Sequence, residues 1–423
     1  MLTPDEEKIV GMISAEEAFA HIKFLSEIAP RTVGGPSDEK GINYFLEKFR
    51  EYGLEAKTDP FKAFAFIEES AELSILEPEK FSPTTKALFG SLPTPTDGIE
   101  GELIAVGSGT DEELEKRDIN GKIVVVNNLP TAPKGALGLE VAKMKKKGAI
   151  GYVLTHYQPW PQILMLETGK YDPKERFPPD NELLPAVVIG SLDWHKIALL
   201  MEHGSVKAKV SVKAIREERE TKNVHGIIKG TELPEKKVLV IAHRDGVANQ
   251  ASNDNGSGNA IILEIARVLA KVNPKRTIEF ISLGGGEVLG CRGAWHYVEK
   301  YKDDLKNIEA VINIDAVALG GHLRIVTEGS WIDYGPIKTT EWLNKMLADA
   351  AKDLNYMIDY TPCILGLADA TPFLHHGVPA CWLWKYDDPY WHSPLDTPEN
   401  VDPNSLKVIS EIVALTALRI ANK

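Results

Sequence analysis

The chain has 423 residues, of which 43% are hydrophobic and 26% are charged, and its net charge at pH 7 is −13. This composition is typical of a soluble globular protein with more than one domain, and the acidic balance argues against nucleic acid or an anionic membrane as a partner. No run of apolar residues is long enough to span a bilayer.

Three further features of the sequence concern location and origin. Residues 1–8 lack the basic region and apolar core of a secretion signal, which predicts a cytoplasmic protein. The three cysteines, Cys291, Cys363 and Cys381, lack metal-type spacing and are expected to be buried free thiols. Glutamine is rare amid abundant lysine and glutamate, a weak indication of a thermophile.

The first segment predicts two helices and a strand. Ser14-Ala-Glu-Glu17 has the pattern of a capping box and opens the first helix. Apolar residues at helical spacing follow the turn at residues 31–37, and Gly53 ends this second helix. Residues 71–76 alternate as a strand does. Both helices are expected to pack on a sheet rather than form a domain alone.

The character of the sequence changes between residues 93 and 214, where short β-type runs are separated by glycine and proline. We interpret these residues as a small β-rich domain inserted into a larger one, which comprises residues 1–92 and 215–423. The lysine-rich run 143–147 is interpreted as the solvated face of a helix.

The most informative stretch follows a β-branched run at residues 238–242, which predicts a buried strand. His243 and Asp245 stand at its carboxyl end, and a glycine-rich turn carries Asp254 toward a helix that begins near Asn259. Imidazole and carboxylate groups are ligands for first-row metals. We therefore expect His243 and Asp254 to bind a metal, and the Asp245 carboxylate to accept the other ring N–H of His243.

One histidine near two aspartates is common in surface turns, so the pattern needs support from elsewhere. Three more apolar strands also end in polar groups: residues 277–283 lead to Glu287, residues 310–314 to Asp315, and residues 381–384 to His392. Buried strands have no reason to end repeatedly in such groups unless these share a polar or metallated site. The alternation of strands and helices predicts an α/β fold with a doubly wound mixed sheet flanked by helices.

These residues carry a resemblance to the M28 family of metallo-aminopeptidases. It extends over nearly the whole chain in five motifs: Asn223-Val-His-Gly, His243-x-Asp245, Asn253-Asp-Asn-Gly-Ser-Gly258, Asn313-Ile-Asp315, and Tyr390-Trp-His392 followed by Asp396-Thr-Pro-Glu-Asn-Val-Asp402. The resemblance implies a zinc-peptidase/phosphorylase-like fold. The insertion is similar to the protease-associated (PA) domain of some family members.

The resemblance also implies a ligand set for two divalent ions, which we expect to be zinc. One ion takes His243, Asp254 and Asp315. The other takes Asp254, Glu287 and His392, so that Asp254 bridges the two. Asp245 and Glu287 are the candidate catalytic residues.

The chain departs from the family at Gly286-Glu287-Val288, where the family has two adjacent glutamates, a general base followed by a ligand. Counting forward from Phe280 makes Glu287 the ligand and leaves Gly286 at the base position. Counting back from Gly290 makes Glu287 the base, with Val288 in place of the ligand. Under the first alignment, Gly286→Glu is expected to restore the missing base.

Two classes of function remain open. The first is a dizinc aminopeptidase that removes N-terminal residues from peptides. The second is a weakly active or inactive relative that binds metal and serves as a binding module. Peptides are the expected partners, and a homo-oligomer is left open.

Overall fold

The structure is a computed structural model that describes residues 2–128, 136–163, 180–247, 249–287, 290–331, 335–363, 368–385 and 387–423. The chain divides into two compact units. The first comprises Met1–Ala63, Arg219–Trp391 and Leu395–Lys423, and the second comprises Phe64–Glu218 and His392–Pro394. The predicted insertion, residues 93–214, falls inside the second unit. Its likeness to a PA domain stays a prediction.

The described α-helices are α1 (Pro4–Val10), α2 (Ala15–Glu27), α3 (Pro36–Glu51), α4 (Asp111–Glu115), α5 (Ala136–Lys146), α6 (Ser191–His203), α7 (Gly256–Leu269), α8 (Arg292–Lys300), α9 (Glu341–Asp353), α10 (Ala370–His375) and α11 (Pro403–Ala421). Short 3-10 turns occur at Asp180–Glu182, Leu305–Asn307 and Pro398–Asn400. Within the described part of the chain, no helix combines the length and apolar character needed to cross a membrane.

The strands are β1 (Glu55–Glu77), β2 (Thr85–Ala87), β3 (Ile99–Ala105), β4 (Ile123–Asn128), β5 (Gly151–His156), β6 (Ala186–Ile189), β7 (Lys207–Ile228), β8 (Leu233–His243), β9 (Arg276–Leu283), β10 (Ile308–Ile314), β11 (Arg324–Trp331), β12 (Gly335–Lys338), β13 (Asp359–Cys363) and β14 (Ala380–Trp384). The observed β8, β9, β10 and β14 contain the four strands predicted at residues 238–242, 277–283, 310–314 and 381–384.

The sheet of the first unit is mixed. Its order is β12-β11-β14-β10-β8-β9, with β13 beside β11 and residues 224–228 of β7 beside β9. Strands β14, β10, β8 and β9 are parallel to one another, whereas β11 pairs antiparallel with β14 and β7 pairs antiparallel with β9. The carboxyl ends of the four parallel strands therefore lie at one edge of the sheet, where open α/β folds bind their ligands.

Helices cover both faces of this sheet, which explains why residues 238–242 of β8 are apolar on both faces of the strand. Val240 and its alternate neighbours face a core shared with α2, α3, α7 and α11, while Ile241 faces a second core shared with α8 and α10. Each fully buried aliphatic side chain of this kind stabilises the fold by about 1.5–3 kcal/mol. The observed arrangement confirms the predicted α/β class with a mixed sheet flanked by helices.

The second unit has its own sheet, in the order β2-β6-β5-β4-β3, with residues 207–210 of β7 beside β3. Strands β3, β4, β5 and β6 are parallel, and β2 pairs antiparallel with β6. Helices α4, α5 and α6 lie in the same stretch of the chain. This unit is therefore an α/β arrangement rather than one built of strands alone.

The two predicted helix ends of the first segment have different outcomes. Gly53 follows α3 with a positive φ of 85°, as predicted for a residue that ends a helix. Ser14 caps α2 by accepting the Glu17 N–H at 3.2 Å. Its own N–H, however, donates to the buried Glu264 carboxylate of α7 at 2.6 Å. One half of the predicted capping box therefore forms, and the other half is replaced by a contact with α7.

Candidate metal centre

The parallel strands of the first unit bring predicted ligands to one edge of the sheet. His243 is the last residue of β8, Asp315 directly follows β10, and Glu287 lies four residues beyond the end of β9. Asp254 enters from the loop that precedes α7. Pairing of His243 with Leu283 and of Ile314 with Leu383 sets the register of these strand ends.

His243, Asp254 and Asp315 form a compact group of possible metal ligands. The His243 Nε2 atom lies 3.2 Å from Oδ1 of Asp254 and 3.4 Å from Oδ1 of Asp315, and one ligand atom from each residue lies within 4.8 Å of the others. Imidazole nitrogen with carboxylate oxygen is a donor set that suits zinc. These residues therefore fit a divalent cation.

The electrostatics of the group support the same conclusion. Burial lowers the pKa of the His243 imidazole, but the carboxylates of Asp315 and Asp254 raise it more, so this pKa lies well above its ordinary value. Carboxylates that raise the pKa of a buried histidine stabilise positive charge in their midst. A bound divalent cation would supply that charge in place of the proton.

The orientation of the His243 ring differs in detail from the prediction. Its Nδ1 atom lies 3.1 Å from the backbone carbonyl oxygen of Asp245 and 3.8 Å from the Asp245 carboxylate. The longer distance exceeds that of a hydrogen bond, so the ring N–H donates to the carbonyl and not to the carboxylate. This contact still selects the tautomer in which Nε2 is free to bind a metal.

The Asp245 carboxylate instead positions the loop that carries Glu287. It accepts the backbone N–H of Gly286 at 2.7 Å and that of Glu287 at 3.1 Å. Carboxylate oxygens of Glu287 and Asp254 lie within 4.8 Å of each other. The structure thus brings together four predicted ligands of the first unit, with Asp254 between the other three.

Gly286 has no room for a side chain. A Cβ atom at this position would stand 2.2 Å from the Cβ and 2.3 Å from the Cγ of His243. The expectation that Gly286→Glu restores a general base is therefore wrong for this conformation, because the new side chain would displace His243, a predicted metal ligand. Val288, the alternative position in the other alignment, lies outside the described residues.

His392 is part of the second unit. Its Nδ1 atom lies 2.9 Å from the carbonyl oxygen of Ile163, and its own carbonyl oxygen accepts the Ile163 N–H at 2.7 Å. Donation from Nδ1 to a carbonyl leaves Nε2 as the nitrogen that could bind a metal. The assignment of His392 to the second ion stays a prediction.

Asp396 is a supporting residue whose role was not recognised in the sequence. Its two carboxylate oxygens accept the backbone N–H groups of Asn253 at 2.6 Å and of Asp254 at 3.0 Å. Burial raises the pKa of Asp396 to about 7, although these two N–H groups lower it. The residue belongs to the last of the family motifs, but nothing local in that motif indicates which backbone groups it binds.

Three asparagines, two in the turn before α7 and one in the first turn of α7, support the site in a similar way. The Asn255 side chain donates to the Ile314 carbonyl at 2.9 Å and accepts the Gly258 N–H at 2.9 Å. Asn253 accepts the Ala318 N–H at 2.8 Å, and Asn259 donates to the carbonyl of His243. These bonds connect the ends of β8 and β10 to the turn that carries Asp254.

Comparison with known proteins identifies similar sequences. Residues 223–417 match the sequence model of peptidase family M28. The chain is 25% identical to aminopeptidase YwaD of Bacillus subtilis, over 97% of this chain and 85% of that protein. It is 24% identical to human carboxypeptidase Q, over 94% of this chain and 84% of that protein.

Solved structures share the fold. A zinc aminopeptidase from Bacillus subtilis, BSAP, superposes with a TM-score of 0.76 at 23% identity, over 97% of this chain and 96% of that one. A peptidase M28 precursor from Shewanella amazonensis superposes with a TM-score of 0.79 at 20% identity, over 99% and 96% of the two chains.

Proposed function

Because residues 223–417 match the sequence model of peptidase family M28, we propose that the chain is a metal-dependent hydrolase that removes N-terminal residues from peptides. The observation that carries the proposal is the convergence of His243, Asp254 and Asp315 at the carboxyl edge of the parallel strands. The site of an α/β enzyme is expected at that edge.

Two zinc ions are proposed as the resident metals. His243 and Asp315 would hold one ion, Glu287 the other, and Asp254 would contribute to both, since its carboxylate lies near all three of these residues. His392 is proposed to complete the second position. Bound zinc would supply polarisation of the scissile carbonyl and a lowered pKa for a coordinated water.

Residues of the chain itself orient this donor set. The Asp245 carbonyl holds the His243 ring, and the Asp245 carboxylate holds the backbone at Glu287. Asp396 holds the backbone at Asp254. His243 and the backbone at Glu287 and Asp254 are thereby positioned before a metal binds, which reduces the cost of ordering the site.

We propose that Glu287 is a ligand, so that Gly286 occupies the position of the family's general base and supplies no carboxylate. Positioned proton transfer is typically worth about 10²- to 10⁴-fold in rate, so turnover should be slow by that order. The comparisons do not favour a pure binding module, since the relatives YwaD and carboxypeptidase Q are named as peptidases.

The test is hydrolysis by the zinc-loaded protein of aminoacyl p-nitroanilides and of short peptides with free or acetylated N-termini. We expect release of N-terminal residues from the free peptides alone, loss of turnover on chelation, and recovery with zinc. Asp254→Asn should abolish turnover, while Asp349→Asn, an exposed change on α9, should not.

Two outcomes would contradict the proposal. Cleavage of acetylated peptides from the C-terminal end would indicate a carboxypeptidase. A wild-type protein that binds zinc and turns over no peptide would indicate the binding module.

The role of Glu287 has a separate test in Glu287→Gln. If Glu287 is a ligand, the variant should bind about half the zinc of the wild type. If it is the base, the variant should keep its zinc and lose turnover. Elemental analysis beside the peptide assay distinguishes the two.

A further inference from the structure

The turn between α2 and α3 carries a buried arginine that does not belong to the donor set. Arg31 is fully buried, and its guanidinium donates to four backbone carbonyl groups. The acceptors are Leu25 at 2.7 Å, Gln250 at 3.0 Å, Ala251 at 2.8 Å and Arg244 at 2.9 Å.

Three of these acceptors belong to one segment, residues 244–253, which joins His243 to Asp254 and which we call the ligand loop. Arg31 binds a carbonyl at its beginning and two carbonyls near its end. The Arg31 carbonyl also accepts the Gly246 N–H at 3.2 Å. Arg31 therefore fixes the distance between the two ends of the loop.

The contacts of Arg31 reach both sides of Asp245. The Arg244 carbonyl and the Gly246 N–H flank this residue, whose carbonyl orients His243 and whose carboxylate binds the backbone of Glu287. A shift at either flank would turn the Asp245 peptide and move both groups.

Arg31 also contributes charge. Among the described residues it forms no ion pair within 4 Å, although Arg244 beside it pairs with Asp38 at 2.8 Å. Burial lowers the pKa of Arg31 to about 10, with Asp396 and Asp245 acting in the opposite direction, so the guanidinium is protonated at neutral pH. Its positive charge favours the ionised carboxylates that a metal requires.

From these contacts we propose that Arg31 is a positioning residue for the metal centre, which holds the ligand loop so that His243, Asp254 and Glu287 stand at coordinating distance. This inference takes its metal from the proposed function, whereas the hydrogen bonds of Arg31 do not depend on a metal. Lysine cannot replace the arginine, since an ammonium group has three donors at one point whereas a guanidinium spreads five over a plane.

The variants are Arg31→Lys, which keeps the charge, and Arg31→Gln, which removes it. Phe45→Leu is the matched control, because Phe45 is equally buried but lies in the apolar core of the first unit, where its ring packs against Phe49. Zinc affinity, hydrogen exchange, and kcat separately from KM are measured at a temperature where all variants are folded.

We expect the zinc Kd of Arg31→Lys to rise by about 10- to 100-fold, as for other residues that orient metal ligands. Exchange of the amides of Gly246 and of residues 252–254 should accelerate, and kcat should fall more than KM rises. Arg31→Gln should raise the zinc Kd and lower kcat more than Arg31→Lys does. Phe45→Leu should lower the Tm and leave the other quantities unchanged.

An Arg31→Lys variant with wild-type zinc affinity and loop exchange would overturn the proposal, whatever its Tm. If neither variant folds, zinc titration of the 15N-arginine-labelled wild type decides, since the Arg31 Nε–H resonance must shift when zinc binds. No shift would overturn the proposal. Absence of peptide turnover by zinc-loaded wild type would instead contradict the proposed function and leave these measurements valid.

Discussion

At the scale of single residues, Gly286 and His243 form a contact too close for any side chain at position 286. The Cβ of Gly286→Ala would stand 2.2 Å from the Cβ of His243, so the imidazole or the Glu287 loop must move. We expect this variant to bind zinc at least about tenfold more weakly, an effect of the size seen when metal ligands are misoriented. Isothermal titration with zinc measures it.

The control for this variant is Gly53→Ala. Gly53 has a φ of 85°, and a Cβ atom added to it would meet no other atom within 4 Å, so alanine there costs backbone strain of about 1–2 kcal/mol without touching the site. It should lower stability and keep zinc affinity. Wild-type affinity in Gly286→Ala would contradict the close contact.

Asp396 provides a second test at this scale. In Asp396→Asn one of the two acceptor oxygens becomes an amide donor, which opposes the N–H of Asn253 or Asp254. We expect zinc affinity to fall by about 10- to 100-fold. Asp402→Asn is the control, because Asp402 makes the same kind of bonds to backbone N–H groups at the start of α11. Equal zinc affinities in both variants would exclude the role assigned to Asp396.

At the scale of secondary-structure elements, the packing of α2 on α3 encloses a histidine. The His21 Nδ1 atom lies 2.6 Å from the Tyr44 hydroxyl, and Nε2 lies 3.3 Å from the Tyr52 hydroxyl. Burial, together with the charges of Lys48 and Arg267, lowers the pKa of His21 to about 3.

This pKa shift makes the first unit sensitive to acid. In the unfolded chain histidine titrates near pH 6.5, so below that pH the unfolded state binds a proton that the folded state does not. Stability is therefore lost as pH falls from about 6.5 toward 3, by up to about 1.4 kcal/mol per pH unit. We expect His21→Gln to lose about 1 kcal/mol less than wild type between pH 6 and pH 5.

Denaturant unfolding at the two pH values measures this difference, and His203→Gln, on the exposed end of α6, is the matched control. Identical pH dependence in wild type and His21→Gln would show that His21 is not held neutral by its surroundings.

At the scale of the whole molecule, metal binding should stabilise the chain. The proposed zinc ligands converge only in the folded state, so zinc should raise the free energy of unfolding by about 2.7 kcal/mol at a free zinc concentration 100 times the Kd. Calorimetric unfolding with zinc and with chelator should give a higher Tm with zinc. Asp254→Asn should show little difference between the two conditions, and a zinc-independent Tm in wild type would exclude a preformed site.

Much of the fold could be predicted because the local signals are strong. The largely apolar runs 238–242 of β8 and 310–314 of β10, which are rich in valine and isoleucine, indicate strands buried on both faces. Helical segments, whose apolar residues recur about every 3.6 positions, alternate with these strands. Apolar residues at helical spacing predict a helix from Asn404 to Ala421, and the observed α11, Pro403–Ala421, begins one residue earlier. The polar residues at strand ends were recognisable because each breaks an apolar run. A cytoplasmic location and a thermophilic origin stay predictions.

By itself, the sequence therefore determined the α/β class, the four candidate metal ligands that converge in the first unit, and the family resemblance, since these depend on periodicity and on residues close to strand ends. Only the tertiary structure decided which groups hold those ligands. The partners of Asp245, Asp396 and Arg31 are backbone atoms of distant segments, and backbone N–H and carbonyl groups are the same in every residue, so no sequence pattern identifies them. The contact of Gly286 with His243 likewise joins two strand ends separated by 43 positions, and it exists only because β8 and β9 pair in parallel register.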